Sequence, residues 1–241
     1  MLYPSILVLL GVAALIWAYV QQRKRDAMLA TPTRTCAEIA EYAQPVTCEV
    51  KGTAGPGPQG PVQAPFSGQP CVWHRTKVTV RYEHHEQRDG RTVTTTRERT
   101  VHDKTYGAPF SVRDATGEIV VIHGGRSIDN VTKSLSHFER AGTDVDLFGL
   151  RLRVNLSNVK GHQYEEWLIP AGQPMYVLGG AAAENGRLVM RDPAEGPFLI
   201  STRSEEALSS ALRIRFLTGY ILGGAVIVGG LIWLVVNLIN G

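Results

Sequence analysis

Hydrophobic and polar positions divide this chain into two long uncharged stretches with a short-period region between them. Residues Met1 to Val20 include no charged side chain; as a helix rising about 1.5 Å per residue they reach about 30 Å, the thickness of a bilayer's hydrocarbon core. Phe216 to Val236 is likewise uncharged, with Tyr220 and Trp233 near its ends, where an interfacial aromatic belt would sit. A cleaved signal peptide has its positive charge before the apolar run, whereas Arg23, Lys24 and Arg25 follow it here, so the first stretch reads as a retained anchor. The core helix of a soluble protein is the competing reading, and two such stretches at opposite ends of one chain argue against it.

Between the stretches the period shortens. TRTCAEIAEYA (Thr33 to Ala43) predicts a short helix opened by threonine, with Ile39 and Tyr42 on one side. Val46 to Thr53 predicts a strand, and AGPGPQGPVQAP after it predicts a loop. From Cys71 to Glu83, Val78, Val80 and Tyr82 alternate with Lys77, Thr79, Arg81 and Glu83, the signature of a half-buried strand. Asp89-Gly90 supplies a turn, and RTVTTTRERTV returns as the partner of a long solvated hairpin. Phe110 to Ile122 predicts a second hairpin around the turn DATG. Ile128, Val131, Leu135 and Phe138, within Ile128 to Asp146, have helical spacing. Short runs follow at Leu150 to Val154, Glu166 to Ile169, Met175 to Leu178, Arg187 to Met190 and Pro197 to Ser201, separated by Gly, Pro and Asn-Gly turns. Thr202 and Glu205 have capping-box spacing before a helix through Leu208 and Leu212 that continues into the second apolar stretch. The expected fold is β-rich, barrel- or sandwich-like with short helices, between two transmembrane helices. The expected layout is a first span over 1–20, one membrane-adjacent domain over 21–213 and a second span over 214–239.

Composition narrows the partners. A net charge of +3 over 241 residues, without a basic run, disfavours nucleic acid. Basic residues lie just inside both spans, at Arg23 to Arg25 and at Arg213 and Arg215, and the outer tails have none; the positive-inside rule then puts the domain on the cytoplasmic side of a cell membrane. Cys36, Cys48 and Cys71 form no C-x-x-C pair, and a Cys36–Cys48 bridge is open only if the domain is exported. Gly219 and Gly223 form a G-x-x-x-G, which allows a homo-oligomer or packing against Ala14 and Ala18 of the first span equally well.

Candidate chemistry is sparse. His84, His85 and Glu86, with His102 and Asp103 on the return strand, have metal-ligand side chains, but neighbours on a strand point to opposite faces, so a solvated hairpin tip is the favoured reading. Cys71 with His74 is a possible thiol nucleophile pair, yet Val72 and Trp73 beside it suggest a core position. Ser67-Gly68 lacks a G-x-S-x-G frame, and Gly52 to Gly60 lacks the Gly-Lys-Ser/Thr that closes a phosphate-binding loop. No catalytic, cofactor or metal residue is assigned, and uncharged spans give a channel or transporter little support.

Four segments carry a resemblance: PFSGQPCVWHRTKV (Pro65 to Val78), FSVRDATGEIVV (Phe110 to Val121), EEWLIPAGQPMYVLGGA (Glu165 to Ala181) and PFLISTRSEEAL (Pro197 to Leu208). Together they are similar to the GIDE, or beside-a-membrane, domain. The resemblance implies a domain held between two spans, as in the MULAN-type ubiquitin ligases, where a zinc-binding RING finger follows the second span. A RING needs eight Cys and His ligands for two zinc ions, and this sequence has three cysteines. It therefore looks closest to the short prokaryotic-type forms without a RING. The function expected is a membrane-tethered binding or scaffold module, contacting lipid and a protein partner near the bilayer. The alternative, by family membership, is a RING-type E3 ubiquitin transferase.

Overall fold

The computed structural model describes residues 2–88, 90–140 and 158–239. In chain order the elements are α1 (Leu2–Ala30), α2 (Cys36–Ala40), β1 (Val46–Gly55), β2 (Val62–Gln63), β3 (Pro70–Cys71), β4 (Trp73–Arg88), β5 (Arg91–Thr105), β6 (Phe110–Arg113), β7 (Glu118–Val121), β8 (Lys133–Arg140), β9 (Val159–Ile169), β10 (Pro174–Glu184), β11 (Arg187–Arg191), β12 (Leu199–Ser201) and α3 (Glu205–Ile239). The run at Leu150 to Val154, the end of the segment to Asp146, and Asp89 of the hairpin turn lie outside the described residues.

Five strands close a barrel. β1 pairs antiparallel with β10 from Val46↔Ala181 to Thr53↔Pro174, and its end pairs with β6. β6 turns into β7, β7 lies parallel to β11, and β11 pairs with β10, completing the ring. β12 adds to β10 over Tyr176 to Leu178. Closure demands a close approach at Gly52, where a Cβ would lie 2.3 Å from the Arg113 carbonyl oxygen. The β10–β11 turn runs through Asn185 and Gly186 at φ 50° and 76°, the paired left-handed conformation that a two-residue hairpin needs. Val50, Phe110, Val112, Ile119, Val121 and Met190 fill the interior, a contiguous apolar core whose burial from water is the main stabilising contribution.

A four-stranded sheet in the order β5-β4-β9-β8 rises from this barrel. Its base is shared, because Trp73 of β4 and Ile169 of β9 are cross-strand partners inside the barrel's core cluster. Phe66, Val78 and Tyr164 form a separate cluster on one face, joined by Leu135 and Val101. The predicted helical face over Ile128 to Phe138 is overturned here: Lys133–Arg140 is strand β8, paired with β9. Leu135 packs into the Phe66 cluster while Phe138 lies beneath Arg81 on the other face. An odd spacing puts two strand residues on opposite faces, and a partner far along the chain outweighs local periodicity.

Two helix starts also shift. Thr35, not Thr33, caps α2 in a capping box with Glu38. Ser204, not Thr202, caps α3 through the Ala207 N–H, and the Thr202 hydroxyl donates to the Asn130 carbonyl instead. The glycine- and proline-rich segment after β1 includes the short strand β2, which pairs with β3 at Val62↔Cys71.

Both terminal helices are long and apolar enough to cross a membrane, and each continues without a break into the domain's side. α1 runs on past Val20 to Ala30, and α3 is continuous from Glu205. They pack on each other: a Cβ on Gly219 would meet the Ala18 Cβ at 2.8 Å, and one on Gly223 would meet the Gly11 carbonyl oxygen at 3.0 Å. The G-x-x-x-G is thus occupied within the chain by α1, the small-residue packing that brings backbones close. Tyr220 donates to the Gln22 side chain across the same interface at 2.8 Å. Where the helices leave their apolar stretches, Met28, Leu208 and Leu212 pack on Tyr176 and Leu178 of β10.

Candidate functional site

Strand register spreads the sequence candidates apart. His84 and His85 lie opposite Thr95 and Thr94, whereas His102 lies opposite Val78, six residues or about 20 Å along the ladder. Each has its own partner: His85 bonds Thr94 and Asn158, Glu86 pairs with Arg97 at 3.5 Å, and His102 bonds the Thr76 hydroxyl at 2.9 Å. Asp103 forms a two-point ion pair with Arg75 at 2.7 and 2.8 Å, and that guanidinium holds its carboxyl below the ordinary range. Among the described residues no three His, Cys, Asp or Glu side chains converge on a point that could hold a metal ion.

The three thiols are free and buried. Burial, with the Glu166 charge adding to it, pushes Cys71 up to about 11. His74 stacks on Tyr106 at 5.0 Å and is held below its ordinary value by burial. Burial and then Asp114 push Cys36 up to about 12, and burial pushes Cys48 to about 11. Thiols held protonated at neutral pH are poor nucleophiles. Among the described residues none of the three converges with two further metal-ligating side chains. The zinc chemistry of a RING does not fit these residues.

Sequence reasoning missed two buried carboxylates. Glu166 is fully buried; its Oε2 accepts the Phe66 N–H at 2.7 Å and the Ser67 N–H at 3.4 Å, while Oε1 accepts the Ser67 and Ser134 hydroxyls. It ties the Pro65–Gly68 turn over the Phe66 cluster, which is the actual role of Ser67. The available signal was its inward phase on β9, in step with Tyr164 and Leu168. Glu49, 2% exposed, accepts the Tyr176 and Thr33 hydroxyls and lies 3.5 Å from Lys51. Lys51 in turn pairs with Glu205 at the start of α3. Asp129 pairs with Arg203 at 3.1 Å and Arg215 at 3.5 Å. These contacts fasten the barrel to α3 on its membrane side.

Among the described residues the opposite end is open. β5 is an edge strand of 15 residues, exposed without interruption from Arg91 to Thr100. The neighbouring sheet face combines aromatic rings and cations, with Arg75 and Lys133 over Trp167 and Arg81 over Phe138, at 5.0 to 5.4 Å. The GIDE family model, described as an E3 ubiquitin ligase, matches residues 79–235. The chain belongs to the GIDE family. The match includes most of the four-stranded sheet, the barrel strands other than β1 and most of α3, and begins in β4, after the first of the four resembling segments. No curated protein and no solved structure matches the chain. In this GIDE chain β5 has a continuous exposed polar stretch, and ion pairs join the barrel side to α3.

Proposed function

We propose that this GIDE protein is a double-pass membrane protein whose domain binds a protein partner close to the bilayer, with no catalytic step of its own. The observation that carries this reading is the β5 edge. A 15-residue strand at the outer edge of a sheet has a row of backbone donors and acceptors open to strand addition by an extended segment of another chain. Its threonines and alternating charges keep that edge soluble while it is empty. Fastening of the barrel to α1 and α3 supports a fixed height of the hairpin above the membrane, as a tethered adaptor needs. Basic flanks at Arg23 to Arg25 and at Arg213 and Arg215 favour a cytoplasmic domain in a cell membrane.

Deleting residues 86–97, with folding checked by the thermal transition, is expected to abolish recovery of the crosslinked partner; unchanged recovery refutes the edge as the docking strand. Labelling of a single cysteine on the hairpin from outside intact cells would reverse the orientation. The family's description favours a second reading, ubiquitin transfer. Stoichiometric zinc in the purified chain and autoubiquitination with a charged conjugating enzyme would establish it over the adaptor.

A further inference from the structure

On the side of α1 that turns away from α3, a crevice of about 580 Å³ lies between the helix and the turn before β12. Val20, Arg23, Lys24 and Ala27 form its helix wall, and Gly196 and Pro197 the facing one. We propose that this crevice holds the phosphate headgroup of one anionic membrane phospholipid, with an acyl chain running down α1. The inference rests on the reading that α1 and α3 span a bilayer.

Three observations support it. First, the crevice opens from the lipid-facing surface: Leu9, Ile16, Val20, Arg23 and Ala27 recur at spacings that share one helical face, and Leu9 and Ile16 are 68% and 60% exposed. The opposite face, at Gly11, Ala14 and Ala18, is taken up by α3. Second, its depth is right, since the cations begin three residues beyond the end of the uncharged run, where phosphates of the leaflet lie. Third, the cations are available. Among the described residues neither Arg23 nor Lys24 has a carboxylate partner, Arg23 resting over the Tyr19 ring at 5.6 Å. Asp26 also lines the crevice and opposes an anion, but it lies 3.9 Å from Arg25. A guanidinium fork beside an ammonium is the pairing that phosphate oxygens favour. The apolar wall at Val20, Ala27 and Pro197 suits the glycerol and upper chain.

The test uses the full chain in nanodiscs of phosphatidylcholine alone or mixed in equal parts with phosphatidylglycerol, extracted into detergent and read by native mass spectrometry. The wild type is expected to retain one phosphatidylglycerol. The double variant Arg23→Gln/Lys24→Gln should bind roughly 30-fold more weakly, the equivalent of about 1 kcal/mol per basic residue at an anionic leaflet. Ala27→Trp fills the crevice without changing charge and should also displace the lipid, whereas mere attraction to a charged surface would leave retention intact. Three results overturn the site: retention unchanged in Ala27→Trp, equal retention of phosphatidylcholine, or displacement of the retained phosphatidylglycerol by inorganic phosphate in detergent. A chain that stays dispersed without detergent would instead refute the membrane reading beneath it.

Discussion

Replacing Glu166 by alanine removes the fully buried carboxylate that accepts the Phe66 and Ser67 N–H groups and the Ser67 and Ser134 hydroxyls, while the Ser134 hydroxyl keeps its bond to the residue-166 carbonyl. An orphaned buried donor costs about 1–3 kcal/mol, and each lost hydroxyl bond about 1 kcal/mol, so the substitution should destabilise the domain by about 3–5 kcal/mol. Glutamine is a sharper probe because the two carboxylate oxygens have different partners. Oε2 accepts only backbone N–H groups, and a carboxamide oxygen can take that place. Oε1 faces two hydroxyls, which can turn to accept from a carboxamide NH2. Glu166→Gln should therefore lose only the charge-assisted part, about 1 kcal/mol. At roughly 2–4 °C per kcal/mol for a domain of this size, the thermal midpoint should fall by about 6–20 °C for alanine and by about 2–4 °C for glutamine. Tryptophan fluorescence of the full chain in detergent reads this directly, since Trp167 adjoins Glu166 and Trp73 lies in the core. Equal midpoints for the two variants would refute the division of labour between the oxygens.

Further outcomes follow from the same geometry. Burial tends to raise the Asp114 carboxyl, but the Cys36 N–H and the Thr116 and Gly117 donors outweigh it and hold it below its ordinary 3.8; its stabilisation is present above 3.8 and lost as pH falls through the lower folded value. Asp114→Asn should therefore be less stable at neutral pH by about 1 kcal/mol, with the gap to wild type closing in acid melts. Oxidation of Ala18→Cys/Gly219→Cys should yield an intrachain crosslink, visible as a mobility shift of the monomer, whereas Gly219→Cys alone should not form dimers; dimers would favour the homo-oligomer. Asp129→Asn removes part-exposed ion pairs to Arg203 and Arg215 and should cost about 1 kcal/mol or less, with faster proteolysis at the start of α3 as the readout.

The two apolar helices, both hairpins and most strands were legible in the sequence, because charge-free length and period-two alternation are local properties that any neighbour must accommodate. The Asn185-Gly186 turn was legible because its left-handed backbone angles favour those residues, and the DATG turn because Asp114 accepts the Thr116 and Gly117 N–H groups within the turn. Local pattern did not decide β8, where the spacing of Leu135 and Phe138 mimics a helix until β9 supplies hydrogen bonds from across the chain. It also left open whether the strands closed as a barrel or stacked as a sandwich, a choice made by the parallel β7–β11 pairing and the approach at Gly52. The apparent cluster of His84, His85 and His102 dissolved because register, not proximity in sequence, sets distance along a hairpin. The buried carboxylates Glu49 and Glu166 became meaningful only when folding delivered Tyr176, Phe66 and Ser134 to them. A sequence specifies which faces must be buried and where the chain must turn; which distant groups then meet depends on how those faces close on one another in three dimensions.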